Sequence, residues 1–344
     1  MKKKTVYILL GVILFFLLLS GGTAVLLYAK INSKAFDESA DDRIIYVDGE
    51  KDYQDILFQL DTLKIKDLVF FQKLSSYMKY PGNIKSGRYI LGEDVSYLDL
   101  IRKLRSGNQD PIHFTFNNIR LKKDLAERVG EQFLFGSQFL EEKLNDSETC
   151  ESLGFDTITI VSMFIPNTYE IYWNISVDRF LERMKKEYDR FWTPERLKKA
   201  EKNSLTPIQV SVLASIVEEE TAVPSEYPVV AGLYINRLKK GMLLQADPTV
   251  KFAVGDVTLK RILYKHLEVD SPYNTYKNPG TPPGPIRIPS IAALNAVLNP
   301  TQHNYLYMVA KEDFSGQHNF SRNLSEHNAY ARKYQDALNR AGIR

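Results

Sequence analysis

Residues 5–29 carry no Asp, Glu, Lys or Arg, and apolar side chains fill most of their positions. About 20 such residues span the hydrocarbon core of a bilayer as a helix. A second apolar run, Val-Ser-Val-Leu-Ala-Ser-Ile-Val at residues 210–217, is apolar on nearly every helical face. It therefore predicts a buried central helix. Thr206 and Gln209 fit the S/T-x-x-E/Q capping box just before it, and Pro207 suits the first turn. The run ends abruptly in Glu218, Glu219 and Glu220.

Between these runs the periodicity alternates between short strands and helices. Residues 44–47 read as a strand, and 52–63 and 67–78 as helices, the first with Ile56, Leu57, Leu60 and Leu63 on one face. A turn leads into a strand at 86–91, a helix starts at Ser96 and stops at Ser106-Gly107, and 112–116 is a further strand. Residues 44–116 thus form a small α+β module. An amphipathic helix is expected at 121–133, and the region to about residue 203 is mostly helical and connective, with 164–169 a loop. Beyond the buried run come a helix at 229–240 with Gly241 as C-cap, a short strand at 242–245, and a helix with Asp247 as N-cap. Gly280-Thr281-Pro282-Pro283-Gly284-Pro285-Ile286 is a stiff loop, because proline removes donors and fixes the backbone. Ser290 caps a helix at 291–298, strands follow at 305–310 and 318–321, and an amphipathic helix at 325–341 closes the chain.

Composition sharpens this outline. The 344 residues suffice for two or three domains, and the net charge of +3 argues against a nucleic-acid partner. One cysteine, Cys150, excludes an internal disulfide and a cysteine-based metal cluster, and the five histidines show no zinc spacing. No metal or cofactor is expected. Lys2, Lys3 and Lys4 precede the first apolar run, so the positive-inside rule leaves them in the cytoplasm and everything after Lys30 outside it. A cleavable signal peptide competes with an uncleaved anchor. The apolar character that resumes at Ala24-Val25-Leu26-Leu27 favours the anchor.

The acids at 218–220 invite a chemical reading. A helix C-terminus and burial both disfavour a carboxylate, and so favour the protonated form that a general acid needs. Such clusters are more often solvated helix ends. Downstream, however, lie several amides, clustered tyrosines and the proline loop. That mixture suits a carbohydrate, whose hydroxyls meet amides and carboxylates and whose C–H faces pack on aromatic rings. Neither a P-loop nor a G-x-S-x-G elbow is present.

Five ordered stretches carry a resemblance. They are Ala214-Ser215-Ile216-Val217-Glu218 with Glu220-Thr221, Ile235-Asn236-Arg237-Leu238, Leu244-Gln245-Ala246-Asp247-Pro248-Thr249-Val250, Tyr273-Asn274-Thr275-Tyr276, and Pro282-Pro283-Gly284-Pro285-Ile286. Together with His318-x-Phe320-Ser321 and His327-Asn328, the chain resembles the endolytic murein transglycosylase family, MltG or YceG-like. One departure is Asn167, where the family more often carries Asp, so that position is given no charged role. The resemblance implies an α+β protein with a transmembrane helix, a LysM-like module and a mixed α/β catalytic domain. Its divisions would be a cytoplasmic tail at 1–4, an anchor at 5–29, a linker at 30–43, the module at 44–116, a connecting region at 117–204 and the catalytic domain at 205–344.

The activity implied is cleavage of the MurNAc-β-1,4-GlcNAc bond within peptidoglycan strands, leaving 1,6-anhydro ends and terminating nascent strands. By the family match Glu218 is the acid/base and Glu220 a supporting acid. Glu219, about 100° round the helix from Glu218, is expected to be solvated. Asn236, Gln245, Asp247, Tyr273, Asn274 and Tyr276 form the expected substrate shell, and His318 and His327 are structural polar contacts. Implied partners are glycan strands, the cytoplasmic membrane and peptidoglycan synthases. Two rival readings stand beside this one, a lysozyme-type hydrolase with a second carboxylate and a non-catalytic anchored scaffold.

Overall fold

The computed structural model of the chain describes residues 3–37, 43–49, 52–117, 119–256, 258–259 and 261–342. Parts of the expected cytoplasmic tail, linker and C-terminal end lie outside them. The chain divides into two compact units. One holds Met1–His113 and Glu170–Asn174, and the other Phe114–Tyr169 and Ile175–Arg344.

The first unit opens with helix α1 (Lys3–Ile31), whose stretch Tyr7–Ile31 has mean hydropathy 2.5 and is long and apolar enough to cross a membrane. The first residues of the expected linker, as far as Phe36, are held by the module. Ala35 and Phe36 are buried, Lys34 and Phe36 bridge to Ser96 and Ile65, and Lys30 pairs with Asp67 at 3.2 Å. These apolar residues enter the core of the module because water is the costlier environment for them.

Strand β1 (Arg43–Val47), helices α2 (Tyr53–Thr62) and α3 (Leu68–Tyr77), and strand β2 (Gly87–Leu91) follow. β1 and β2 pair antiparallel from Arg43↔Leu91 to Val47↔Gly87, with every second residue buried. Asp52 and Asp55 form a capping box at the start of α2. The Gln59 amide bonds both the N–H and the carbonyl of Tyr46, which satisfies part of an open strand edge. Helix α4 (Tyr97–Ser106) starts at the cap Ser96 and stops at Gly107, whose φ of 75° a side chain would strain. Trp173 packs edge-to-face on Tyr46 at 5.0 Å.

Strands β3 (Ile112–Thr115) and β4 (Thr168–Ile171) pair, and the division between the units falls within both. β4 corrects the expected loop at 164–169, which becomes a strand at Thr168. The second unit continues with α5 (Lys122–Gly130), α6 (Gly136–Asn145), α7 (Ser147–Ser152), α8 (Val177–Phe191) and α9 (Pro194–Lys202). These connecting helices fall in the same compact unit as the segment after residue 204.

At its centre lies α10 (Pro207–Glu220), with Thr206 and Gln209 forming the capping box and residues 210–217 all buried. Around it pack α9, α11 (Tyr227–Lys239), α12 (Asp247–Val254) and, beyond the short α13 (Tyr264–Leu267), α14 (Ile291–Leu298). Strands β5 (Tyr307–Ala310) and β6 (His318–Ser321) pair antiparallel, and helix α15 (Leu324–Arg340) packs on them.

Two local expectations change here. Residues 242–245 form no strand. The Arg237 guanidinium takes the carbonyls of Leu243 and Leu244 at 3.2 and 2.8 Å, and Gln245 has φ 50°, outside strand geometry. Asp247 is not the N-cap of α12 but its first residue, after Ala246, because its carboxylate is engaged by Tyr276.

Candidate functional site

The three acids that end α10 diverge to three sets of partners. The Glu218 Oε2 accepts from the backbone N–H of Ser290, the N-cap of α14, at 2.7 Å. Its Oε1 lies 3.7 Å from the Arg287 guanidinium. Three residues back on the same helix, the buried Ser215 hydroxyl accepts from the N–H of Ile286 at 3.1 Å and donates to Val212. Glu218 and Ser215 thus pin the end of the proline loop to the central helix.

Glu219 is not solvated, contrary to expectation. Arg120 binds both of its oxygens at 2.9 Å, and Arg287 donates to Oε1 at 2.7 Å. Such bidentate guanidinium–carboxylate pairs are among the stronger polar contacts. The 100° step correctly turned Glu219 away from Glu218. What the local sequence could not show is the arrival of cations from positions 99 and 68 residues distant.

Glu220 turns to the opposite side, toward α11 and α12. The Tyr234 hydroxyl donates to its Oε1 at 2.5 Å. Desolvation is the main cause that pushes the Glu220 carboxyl up to about 7, opposed by the Tyr234 hydrogen bond and reinforced by the charge of Asp247. Arg237 and Lys251 act weakly the other way. The Tyr234 hydroxyl itself is held firmly protonated by the same burial and by Glu220.

The other expected residues separate into two groups. Asp247, Tyr276 and Gln245 lie on the Glu220 side. The Tyr276 hydroxyl donates to Asp247 Oδ1 at 2.6 Å, and exposed Gln245 offers its Oε1 to Arg237 at 3.3 Å. Asn236 and Asn274 instead hold backbone. Asn236 donates to the carbonyls of His303 and Tyr305 at 2.7 and 3.2 Å. Asn274 is wholly buried and donates to those of Leu267 and Val269 at 2.8 and 2.9 Å, so it presents nothing to a ligand. Tyr273 packs on Phe252 with ring centroids 4.6 Å apart, beside a cavity of about 250 Å³ that Arg120, Ile158 and Pro285 also line. A Cβ on Gly284 would come within 3.0 Å of the Tyr273 hydroxyl, so the loop passes there only as glycine.

Sequence reasoning missed Tyr234, Arg120, Arg287 and Glu226. Arg237 lies inside a quoted motif, and Tyr234 immediately precedes it, so a signal existed for those two. Arg120 and Arg287 look like any surface cation until the fold brings them to Glu219. His318 is a structural contact, with Nδ1 2.9 Å from Glu226 Oε2. His327 lies against the Tyr307 ring at 5.6 Å, and its imidazole is pushed down by burial, then by Arg237.

The chain is similar to several known proteins. A sequence profile of the YceG-like family matches residues 45–333. An endolytic murein transglycosylase of Bacillus subtilis strain 168 is 30% identical over 296 residues, covering 80% of this chain and 81% of that one. One of Streptococcus pneumoniae serotype 2 strain D39 is 28% identical over 299 residues, 76% of this chain, which spans only 54% of that longer protein. The crystal structure of the yceG-like protein lmo1499 from Listeria monocytogenes aligns with a TM-score of 0.54 at 27% identity, covering 85% of this chain and 99% of that one. Because the profile spans most of the chain, including every stretch described around α10, the protein belongs to the YceG-like family.

Proposed function

We propose that this protein is a membrane-anchored peptidoglycan lytic transglycosylase that cuts within glycan strands, with Glu218 as the acid/base. The single observation that carries the choice is the direction of the Glu218 carboxyl, which reaches the proline loop from the end of α10 with Oε2 on the Ser290 N–H, Oε1 3.7 Å from Arg287 and its side chain 13% exposed. Glu220, by contrast, turns inward to the Tyr234 hydroxyl, which makes it a supporting acid.

The chemistry balances with one carboxyl. The Ser290 N–H occupies Oε2 of Glu218, which leaves Oε1 to carry the proton. That proton passes to the glycosidic oxygen as the bond to the muramoyl C1 breaks, and the GlcNAc unit leaves with a free 4-hydroxyl. The developing charge at C1 resembles an oxocarbenium ion. The Glu218 carboxylate then takes the proton of the muramoyl C6 hydroxyl, whose oxygen bonds to C1. The product is a 1,6-anhydro end, and no water is consumed. Asp247, Tyr276 and Gln245, on the Glu220 side of the helix end, complete the sugar-binding surface.

Around this site we read the first unit as a LysM-like module on the strength of its β1-α2-α3-β2 order and antiparallel pairing. Helix α1 anchors the protein in the cytoplasmic membrane, with the N-terminal lysines inside and the chain after Lys30 outside. Cleavage there would release nascent strands close to the synthases that make them.

Glu220 and Asp247 give the hydrolytic reading its one specific support, a candidate second carboxylate near the helix end that carries Glu218. Mass spectrometry of digested strands separates the two. Anhydro-muramoyl ends are lighter by one water, and an exclusively reducing end would replace the transglycosylase reading with hydrolysis. Unchanged strands with the wild-type protein would leave only the scaffold reading.

A further inference from the structure

Glu218 and Glu219 share one cation. The Arg287 guanidinium donates from Nη1 to Glu219 Oε1 at 2.7 Å, while its Nη2 lies 3.7 Å from Glu218 Oε1, beyond hydrogen-bond distance. Both the Arg287 and the Glu218 side chains are largely shielded from solvent. Glu219 is braced in turn from the other side. Arg120 donates to Oε1 from Nε and Nη2 at 3.2 and 2.9 Å, and to Oε2 from Nη2 at 2.9 Å. The Ile288 N–H donates to the Ile119 carbonyl at 2.8 Å, so the segments that carry the two arginines lie side by side. On Glu218 the Ser290 N–H occupies Oε2, and Oε1 is the atom that faces the guanidinium.

We propose that Glu219 is a positioning residue: braced by Arg120, it holds the Arg287 guanidinium beside Glu218 and keeps it from closing on Oε1. This inference rests on the reading of Glu218 as the acid/base. A guanidinium in direct contact with a carboxylate makes a charge-assisted pair and favours the ionised form. Such a pair would leave Oε1 without a proton to give. A shift of about 1 Å would bring Nη2 into hydrogen-bond contact with Oε1, and the charge of Glu219 opposes that shift. At its present distance the same cation has a second effect. It stabilises the carboxylate that exists after the glycosidic oxygen has taken the proton and before the C6 hydroxyl returns one. Glu219 thereby serves both forms of the Glu218 carboxyl. The titratable and charged groups that face Glu218 are Glu219 on its own helix, Arg287 before α14, Arg120 behind Glu219, and Tyr227 at the start of α11. Burial, then the charge of Glu218, raises the Tyr227 hydroxyl above its ordinary value, so it stays neutral. The charges of α12, Asp247 and Lys251, act on Glu220 instead.

The test uses the full chain in detergent micelles and fluorescently tagged, uncrosslinked glycan strands. Glu219→Gln keeps the shape and removes the charge. It is expected to move the basic limb of the kcat profile to lower pH by about one unit, the low end of what an adjoining guanidinium does. On that limb kcat should fall roughly 10-fold with KM within about two-fold, and at lower pH it should return to the wild-type value. Adding Arg287→Met to Glu219→Gln should restore the lost activity, because no cation is then left to close on Glu218. Arg287→Met alone should move the basic limb to higher pH, which keeps the test decisive if Glu219→Gln folds poorly. A wild-type pH profile in both single variants would overturn the proposal. So would a loss in Glu219→Gln that is equal at every pH and persists in the double variant, since a purely structural role behaves that way. A Glu218→Gln variant run alongside separates the two ideas. If it retains activity, the acid/base reading fails. If it is inactive while Glu219→Gln matches the wild type, only the positioning role fails.

Discussion

Glu218, Glu219 and Glu220 are consecutive in the chain, yet each meets a different chemistry, because one residue on a helix turns about 100°. A carboxyl held by a backbone N–H, one held between two guanidinium groups and one held by a phenol do not do the same work. Glu218→Gln is expected to lower glycan cleavage by about 10²- to 10⁴-fold, the usual contribution of a general acid, read by the yield of anhydro-muramoyl ends. Glu220→Gln keeps an acceptor for the Tyr234 hydroxyl, and should cost about 10-fold or less in the same assay. The same carboxyl has a stability signature of known sign. Its folded pKa lies above the ordinary 4.5, so folding is favoured by this group below about 4.5 and loses that favour as pH rises to about 7. Urea midpoints measured across that window should decline less steeply in Glu220→Gln than in the wild type.

The central helix could be foreseen nearly in full, from the Thr206 cap to the last acid, because its signals are local. The elements around it depend on contacts made at a distance. Ser215 shows this at the level of one bond. It is a small polar residue in an apolar run, and its purpose appears only when the Ile286 N–H arrives from the proline loop. Ser215→Ala should leave that buried N–H without an acceptor and cost about 1–3 kcal/mol of stability in chemical denaturation. Gly232 on α11 is a second case. A Cβ there would lie 2.5 Å from the Thr301 carbonyl and 2.8 Å from His303 Nε2. Gly232→Ala should therefore destabilise by roughly 1–3 kcal/mol, the cost of forcing extra atoms into a packed core. The strand expected at 242–245 failed for the same reason that Ser215 was opaque. Leu243 and Leu244 have the apolar character of a strand, but the carbonyls that would pair across a sheet are taken by Arg237.

At the scale of the whole molecule, the anchor helix continues directly into the core of its unit, without a free tether. Ala35 and Phe36 are buried there, and Lys30 pairs with Asp67. A truncation that begins at Lys30 should keep the module's stability and lose membrane association. One that begins at residue 38 also discards Phe36, and should lower the module's unfolding free energy by about 3–5 kcal/mol, as loss of a buried phenylalanine does. Calorimetry and membrane flotation of the two truncations check both halves of that expectation.

Periodicity, caps and turn residues act over a few positions, and from them follow the long apolar N-terminal helix, the β1-α2-α3-β2 order of the first unit, the central helix, the stiff proline loop and the placement of three acids at one helix end. Ordered motifs along the chain carried the family. Which acid is desolvated was not readable from the sequence, since it depends on partners 14 to 99 residues away that the sequence does not mark as neighbours. Glu218 and Glu220 share a helix, a residue type and a motif. Only the packing of α11, α12 and the proline loop around α10 separates a fastened carboxylate from one kept near neutrality, because burial and nearby charge are properties of the assembled core.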